Sequence, residues 1–387
     1  MASISVDISP NVIAWVIRQS ENNNVPMKTL EMLNSWYSGE KKPTFSQVED
    51  VSQKTRIPFG FFFMSTPPEE FPLAEFRTVG SKKFDQPSRD YIDTVHSMED
   101  VQEWMEDYRK REDCDPLSYV GICREASDGL EVARKIRNIL QLDLDWYKIS
   151  KSAADSFSLL RQRMSDNGVI VMMNGVVGSN TRRKLNINEF RAFTLINAYA
   201  PLIFINACDT HNARLFSLLH EFAHVLLGKD NLYNDSYRQN SLVSRAEAIC
   251  NAAAAEILIP KEHLIESWSA IESDNSLEKV RGIAKEYKCS AFVAARRLRD
   301  LSLVSYDGYA AILKCLNEEF INSDEKKSGG GGDYYRTLQS RWDKGFIRSL
   351  NESARAGDTS YTEVFRLTGT NEKTFDKLVS TIGETAV

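Results

Sequence analysis

The sequence predicts a mostly helical α+β fold, with a small sheet followed by two paired helices at its centre and helical modules on both sides. Three observations carry this prediction. Short β-rich runs cluster between Gly168 and Ala207. Helical periodicity governs the stretches before and after them. The run LLHEFAHVLLG, Leu218 to Gly228, then switches the pattern from strand to helix.

At 387 residues, the chain is long enough for two or three domains. Its 42% hydrophobic and 26% charged content is that of a globular protein. A formal net charge of -6 gives no general signal for binding polyanions, so any nucleic-acid contact would need a local basic patch. The six cysteines are scattered with no CxxC pair, which points to reduced thiols in a cytoplasm. No apolar run approaches the ~20 residues that cross a bilayer, and MASISVDISP is no secretory signal. A cytoplasmic protein with no membrane contact is expected.

Residues 1–66 read as a helical module, with turns at SGEKKP (Ser38 to Pro43) and at Arg56 to Pro58. A helix begins after Thr44, whose side chain caps it. The aromatic run FGFFFM, Phe59 to Met64, reads as core. Trp36, Gly39, Pro43 and Thr44, followed by an amphipathic helix, resemble the second half of a lambda-repressor-like helix-turn-helix. Six Lys/Arg against six Asp/Glu leave that module without the basic face of a DNA reader.

Residues 67–145 form a helical connecting region. It opens with the stiff PPEEFP and carries helices at roughly Ser88 to Lys110 and Gly129 to Leu140. The charged stretch Met98 to Asp113 reads as a solvated helix face.

Residues 146–322 hold the core. Its strands are Gly168 to Met173, Phe190 to Leu195 and Pro201 to Ala207. A helix capped by Asp209 or Thr210 then runs to Gly228, and an alanine-rich helix from Leu242 to Ile259 is stopped by Pro260. Leu277 to Tyr287 and Ala291 to Leu301 form a second helix-turn-helix-like unit. Its Arg296, Arg297 and Arg299 are the best local basic patch, read first as arginines snorkelling from an amphipathic helix. Residues 323–333 form a Gly-rich linker with no GK[ST] after its glycines, so no P-loop. Residues 334–387 form a terminal module of three helices.

Positions four apart share a helix face, so His220 and His224 can direct their rings at one metal ion. Glu221 is then placed to reach a water on that ion without ligating it, which is the arrangement of a zinc hydrolase. The plainer alternative is a core helix whose imidazoles hydrogen-bond to neighbours, and the apolar flanks fit both. A third ligand discriminates: Glu247 is the candidate, with Asn251 one turn on to hydrogen-bond a ligating imidazole. Glu256 lies about 180° around the helix from Glu247 and cannot share the metal. His211 and His263 read as surface or packing residues. PLIFINA is a candidate sheet edge for pairing with an extended substrate. Arg245, Tyr233, Tyr237 and His211 are candidate oxyanion or substrate contacts.

FINACDTHNARLFSLLHEFAHVLLG followed by SRAEAICNAAAAEILIP is similar to the ImmA/IrrE family of metallopeptidases, best over about Asp155 to Pro260. WYSGEKKPTF, the EFR of Glu75 to Arg77 and GGGGDYY resemble larger members with a repressor-like N-terminus and a helical C-terminus. The resemblance implies a zincin-like core with His220, His224 and Glu247 on Zn²⁺ and Glu221 as general base. Phe222, Cys250 and Ala253 depart from residues common in the family, and none removes a catalytic group. It also implies cleavage of a cytoplasmic regulatory protein, a helix-turn-helix repressor or antitoxin, in phage, mobile-element or stress-response control. A different class of function is a DNA- or partner-binding transcriptional regulator or antitoxin with a vestigial or structural metal site. The flanking modules also fit a peptidase that stays latent until a signal arrives.

Overall fold

The β-rich runs build a sheet whose two faces nucleate two separate cores. A computed structural model describes residues 5–21, 25–68, 87–228, 242–273, 275–324 and 334–384. Strand β1 (Ile170–Asn174) pairs in parallel with β5 (Leu202–Asn206), and β4 (Ala192–Leu195) pairs antiparallel with the other side of β5. All five residues of β5 are buried, as a central strand requires. Alternation along the strands divides the side chains. Val171, Ala192, Ile203 and Ile205 enter one core, while Ile170, Met172, Phe193, Leu195, Leu202 and Phe204 enter the other. A two-stranded hairpin, β2 (Val176–Val177) with β3 (Asn180–Lys184), follows β1 and was not evident from the sequence, because NTRRK has no apolar alternation.

The N-terminal module is helical as read: α1 (Pro10–Glu21), α2 (Met27–Tyr37) and α3 (Phe45–Thr55) surround a small core of their own. Thr44 forms a full capping box with Gln47. FGFFFM is core only in part, since Phe62 is fully buried while Phe63 and Met64 are exposed on a 3-10 turn. Arg56 ties the module to Asp90 at the start of α4 (Arg89–Arg111), at 2.6 Å.

Helix α4 corrects the reading of Met98 to Asp113 as a solvated face. Met98, Val101, Trp104 and Met105 are buried against the sheet, and the charged residues occupy the opposite side. After it come α5 (Gly129–Leu140), α6 (Ala153–Asp166), α7 (His211–Leu227) and α8 (Leu242–Leu258), which cover the first face. Then follow α9 (Lys261–Ala270), α10 (Ser276–Glu286), α11 (Ala291–Asp300) and α12 (Tyr306–Asp324).

The C-terminal module has four helices where three were expected: α13 (Tyr334–Arg341), α14 (Lys344–Ala356), α15 (Tyr361–Thr368) and α16 (Glu372–Glu384). It is not a detached unit. Phe346, Ile347, Leu350, Val364 and Phe375 share one core with α4 and the second face of the sheet. Asp343 caps α14 by accepting from Phe346 N at 3.0 Å and also accepts from Val171 N at 3.3 Å. Arg161 donates to Val171 O at 2.7 Å and to the carbonyls of Ser340 and Trp342. These two side chains therefore occupy the outward backbone groups of β1 at Val171. Most of the glycine-rich linker lies outside the described residues.

Candidate metal centre

The helix carrying HEFAH is fixed at both ends. Thr210 caps α7 by accepting from Ala213 N, and Gly228 closes it in the left-handed conformation, φ 61°. Every residue from Leu215 to Leu227 is buried, so the helix has no solvent face along its last three turns. Its final carbonyls are satisfied by a loop from the connecting region: Gly121 N donates to Val225 O at 3.0 Å and Cys123 N to Leu226 O at 2.8 Å. Gly121 and Gly228 approach so closely that a Cβ on Gly228 would overlap the Cα of Gly121.

The alanines of α8 have a comparable purpose. A Cβ on Gly129 of α5 would stand 2.6 Å from Ala252 Cβ and 2.7 Å from Ala253 N, so the two helices meet where neither carries bulk. The end of α8 is held by Trp146 Nε1 on Ile257 O at 2.9 Å and Arg137 on Glu256 O at 3.0 Å. Glu256 itself pairs with Arg297, on the far side of α8 from Glu247, as the helical rotation predicted.

These constraints bring three side chains together. The Nε2 atoms of His220 and His224 lie 3.1 Å apart. Glu247 places Oε2 at 3.3 Å from His220 Nε2 and Oε1 at 3.0 Å from His224 Nε2. Among the described residues this is the group of three or more potential ligands whose donor atoms all lie within 4.8 Å of one another. A tetrahedral zinc with bonds of about 2.0–2.1 Å separates neighbouring ligand atoms by about 3.3 Å, so the spacing fits that ion. The imidazoles are 1% and 2% exposed, whereas the Glu247 side chain is 36% exposed, which places the approach to the centre on the α8 side.

The three groups shift one another's protonation. Burial alone would raise the Glu247 carboxyl, yet hydrogen bonds and charge from both histidines hold it well below its ordinary range. Burial would lower His224, but the neighbouring Cys250, Glu247 and Glu221 push it well above an ordinary imidazole. Glu221 is buried beside this cluster, and its Oε2 accepts a hydrogen bond from Thr194 Oγ1 at 2.7 Å.

Several sequence-predicted residues stand elsewhere. Asn251 is exposed and makes no hydrogen bond to either imidazole among the described residues; Cys250, one position earlier and buried, is the neighbour that acts on His224 together with Glu247. His211 opens α7, nine residues before His220, or about 13 Å along the axis. His263 packs against Asp145 and Tyr147. Arg245 is exposed at the start of α8, and Tyr233 and Tyr237 lie outside the described residues. PLIFINA is not an edge: β5 is paired on both sides. Of the arginine triplet, Arg297 is buried and paired with Glu256, Arg296 pairs with Asp300, and Arg299 lies near Asp300 and over the ring of Tyr306.

Sequence reasoning missed Thr194, Cys250 and Gly121. Thr194 left a trace, as a polar residue on the Ala192 side of an otherwise apolar strand. Gly121 left none, because its partner is more than a hundred residues away.

Residues 168–299, which contain the sheet, α7, α8 and the candidate ligands His220, His224 and Glu247, match the family described as IrrE N-terminal-like domain, Peptidase_M78. Residues 342–381 match a domain of unknown function, DUF8813. No curated protein matches the chain. Residues 168–299 are therefore similar to the IrrE N-terminal-like domain of the Peptidase_M78 family, in line with the resemblance to ImmA/IrrE metallopeptidases.

Proposed function

We propose that this chain is a zinc-dependent endopeptidase that cuts a cytoplasmic regulatory protein, a helix-turn-helix repressor or antitoxin. His220, His224 and Glu247 would hold the ion and Glu221 would act as general base. The observation that carries the reading is the convergence of two buried imidazole nitrogens and a carboxylate at tetrahedral spacing, with a second buried carboxylate beside them. Zinc, when bound, supplies the Lewis acidity that brings a water's pKa to about 7. Glu221 would take a proton from the attacking water as the water oxygen bonds to the peptide carbonyl carbon. As the C–N bond breaks, Glu221 returns the proton to the departing amine.

An extended substrate needs a strand with an open side. In the sheet, β5 is central and the outward groups of Val171 on β1 are taken by Asp343 and Arg161. Strand β4 remains, and it borders Glu221 through Thr194. The resemblance of the N-terminal sequence to part of a repressor-like helix-turn-helix supports a regulatory substrate.

The test compares new protein N-termini by mass spectrometry after wild type or Glu221→Gln is added to a lysate of the source cell. Wild type should produce a discrete cut in a regulatory protein that chelation abolishes, while Glu221→Gln keeps its zinc and makes no cut. Absence of any zinc-dependent cut by wild type would reject the reading.

A further inference from the structure

The carboxylate of Glu221 is buried, 4% exposed, and Thr194 is its side-chain hydrogen-bond partner among the described residues. Strand alternation explains how Thr194 comes to be there. Phe193 and Leu195 point into the core beneath the sheet, while Ala192 and Thr194 face α7. A hydroxyl buried on that face is unfavourable unless it is hydrogen-bonded. It meets Glu221 twice, at Oε2 (2.7 Å) and at the backbone oxygen (3.3 Å).

Rotation about the last bond of a glutamate side chain is broad and roughly two-fold, so a buried general base needs something to fix its plane. The Thr194 bond occupies Oε2 and leaves Oε1 as the oxygen that takes the proton. We propose that Thr194 is a positioning residue: it sets the rotation of the Glu221 carboxylate from the strand β4, without contacting the reacting atoms itself. This rests on the peptidase reading above, in which Glu221 is the base. It adds that strand β4 and the base form one mechanical unit.

Two measurements test this, one independent of activity. The first is a thermal-unfolding cycle of Thr194→Val, Glu221→Ala and the double variant. Thr194→Val should lower the melting temperature of the otherwise wild-type chain and do so much less in the Glu221→Ala background. Equal shifts in both backgrounds would overturn the bond. The second uses steady-state cleavage of a peptide of about 20 residues spanning the bond that wild type cuts. Thr194→Val should lower kcat roughly 10- to 100-fold, the usual effect of removing such a supporting contact, with KM and zinc content unchanged. Thr194→Ser, which keeps the hydroxyl, should recover most of the rate. An unchanged kcat would overturn the proposal, and so would a raised KM at wild-type kcat, since Thr194 would then be a substrate contact. If wild type cuts nothing, the peptidase reading and the catalytic role of Thr194 fail together, and the unfolding cycle still decides whether Thr194 holds Glu221.

Discussion

The Nε2 atoms of His220 and His224 face each other at 3.1 Å, and each has a Glu247 oxygen within 3.3 Å. Two neutral imidazole lone pairs do not settle at that distance unless a proton or a cation lies between them. The two occupants respond oppositely to pH.

A prediction for the chelated protein follows from the directions of the shifts. His224 is raised above the ordinary imidazole value of 6.5, so its stabilising contribution is complete below pH 6.5 and is lost as pH rises through its folded value. Glu247 is depressed below 4.5, so its contribution is present above pH 4.5 and is lost as pH falls through its folded value. With EDTA, the melting temperature should therefore decline as pH rises above 6.5. With zinc the decline should vanish or reverse, because the metal replaces the proton and binds the neutral imidazoles. Melting curves across pH 5 to 9, with and without zinc, check this.

Packing between α5 and α8 sets where Glu247 stands relative to α7. Gly129→Ala would drive a methyl into Ala252 and the backbone of α8. We expect a loss of about 1–3 kcal/mol by denaturant unfolding, typical of overpacking, together with weaker zinc binding. A titration showing wild-type zinc affinity in this variant would mean that α8 does not need this contact to place Glu247.

The C-terminal helices should prove inseparable from the sheet. Asp343→Ala removes a helix cap and leaves the buried Val171 and Phe346 amides unsatisfied, which should destabilise by roughly 2–4 kcal/mol. Truncation after residue 333 uncovers Phe193, Phe204 and Met172. The truncated chain should bind a hydrophobic dye and lose cooperative unfolding, measured by fluorescence and calorimetry.

Much of this centre was legible in the sequence because its information is local. The four-residue interval of His220 and His224, the cap at Thr210, the stop at Gly228 and the alanine run of α8 are all written in consecutive residues. What depends on tertiary pairing was not. Strand order decides that β4 and not β5 lies at an edge, and no feature of PLIFINA reports its neighbours. Asn251 was assigned to an imidazole by helical rotation, yet a shift of one position puts Cys250 there, since one residue turns the helix by about 100°. The glycine-rich stretch read as a boundary because composition records flexibility and cannot record that the helices after it fold back onto Phe193 and Phe204.

The central claim is that His220, His224 and Glu247 form one zinc site. Its most direct test is the metal content and zinc affinity of purified wild type and Glu247→Ala, by elemental analysis and competition with a chelator. One zinc per chain in wild type, with loss or marked weakening in Glu247→Ala, is the result predicted. Wild type without stoichiometric zinc, or Glu247→Ala holding it as tightly, would contradict it.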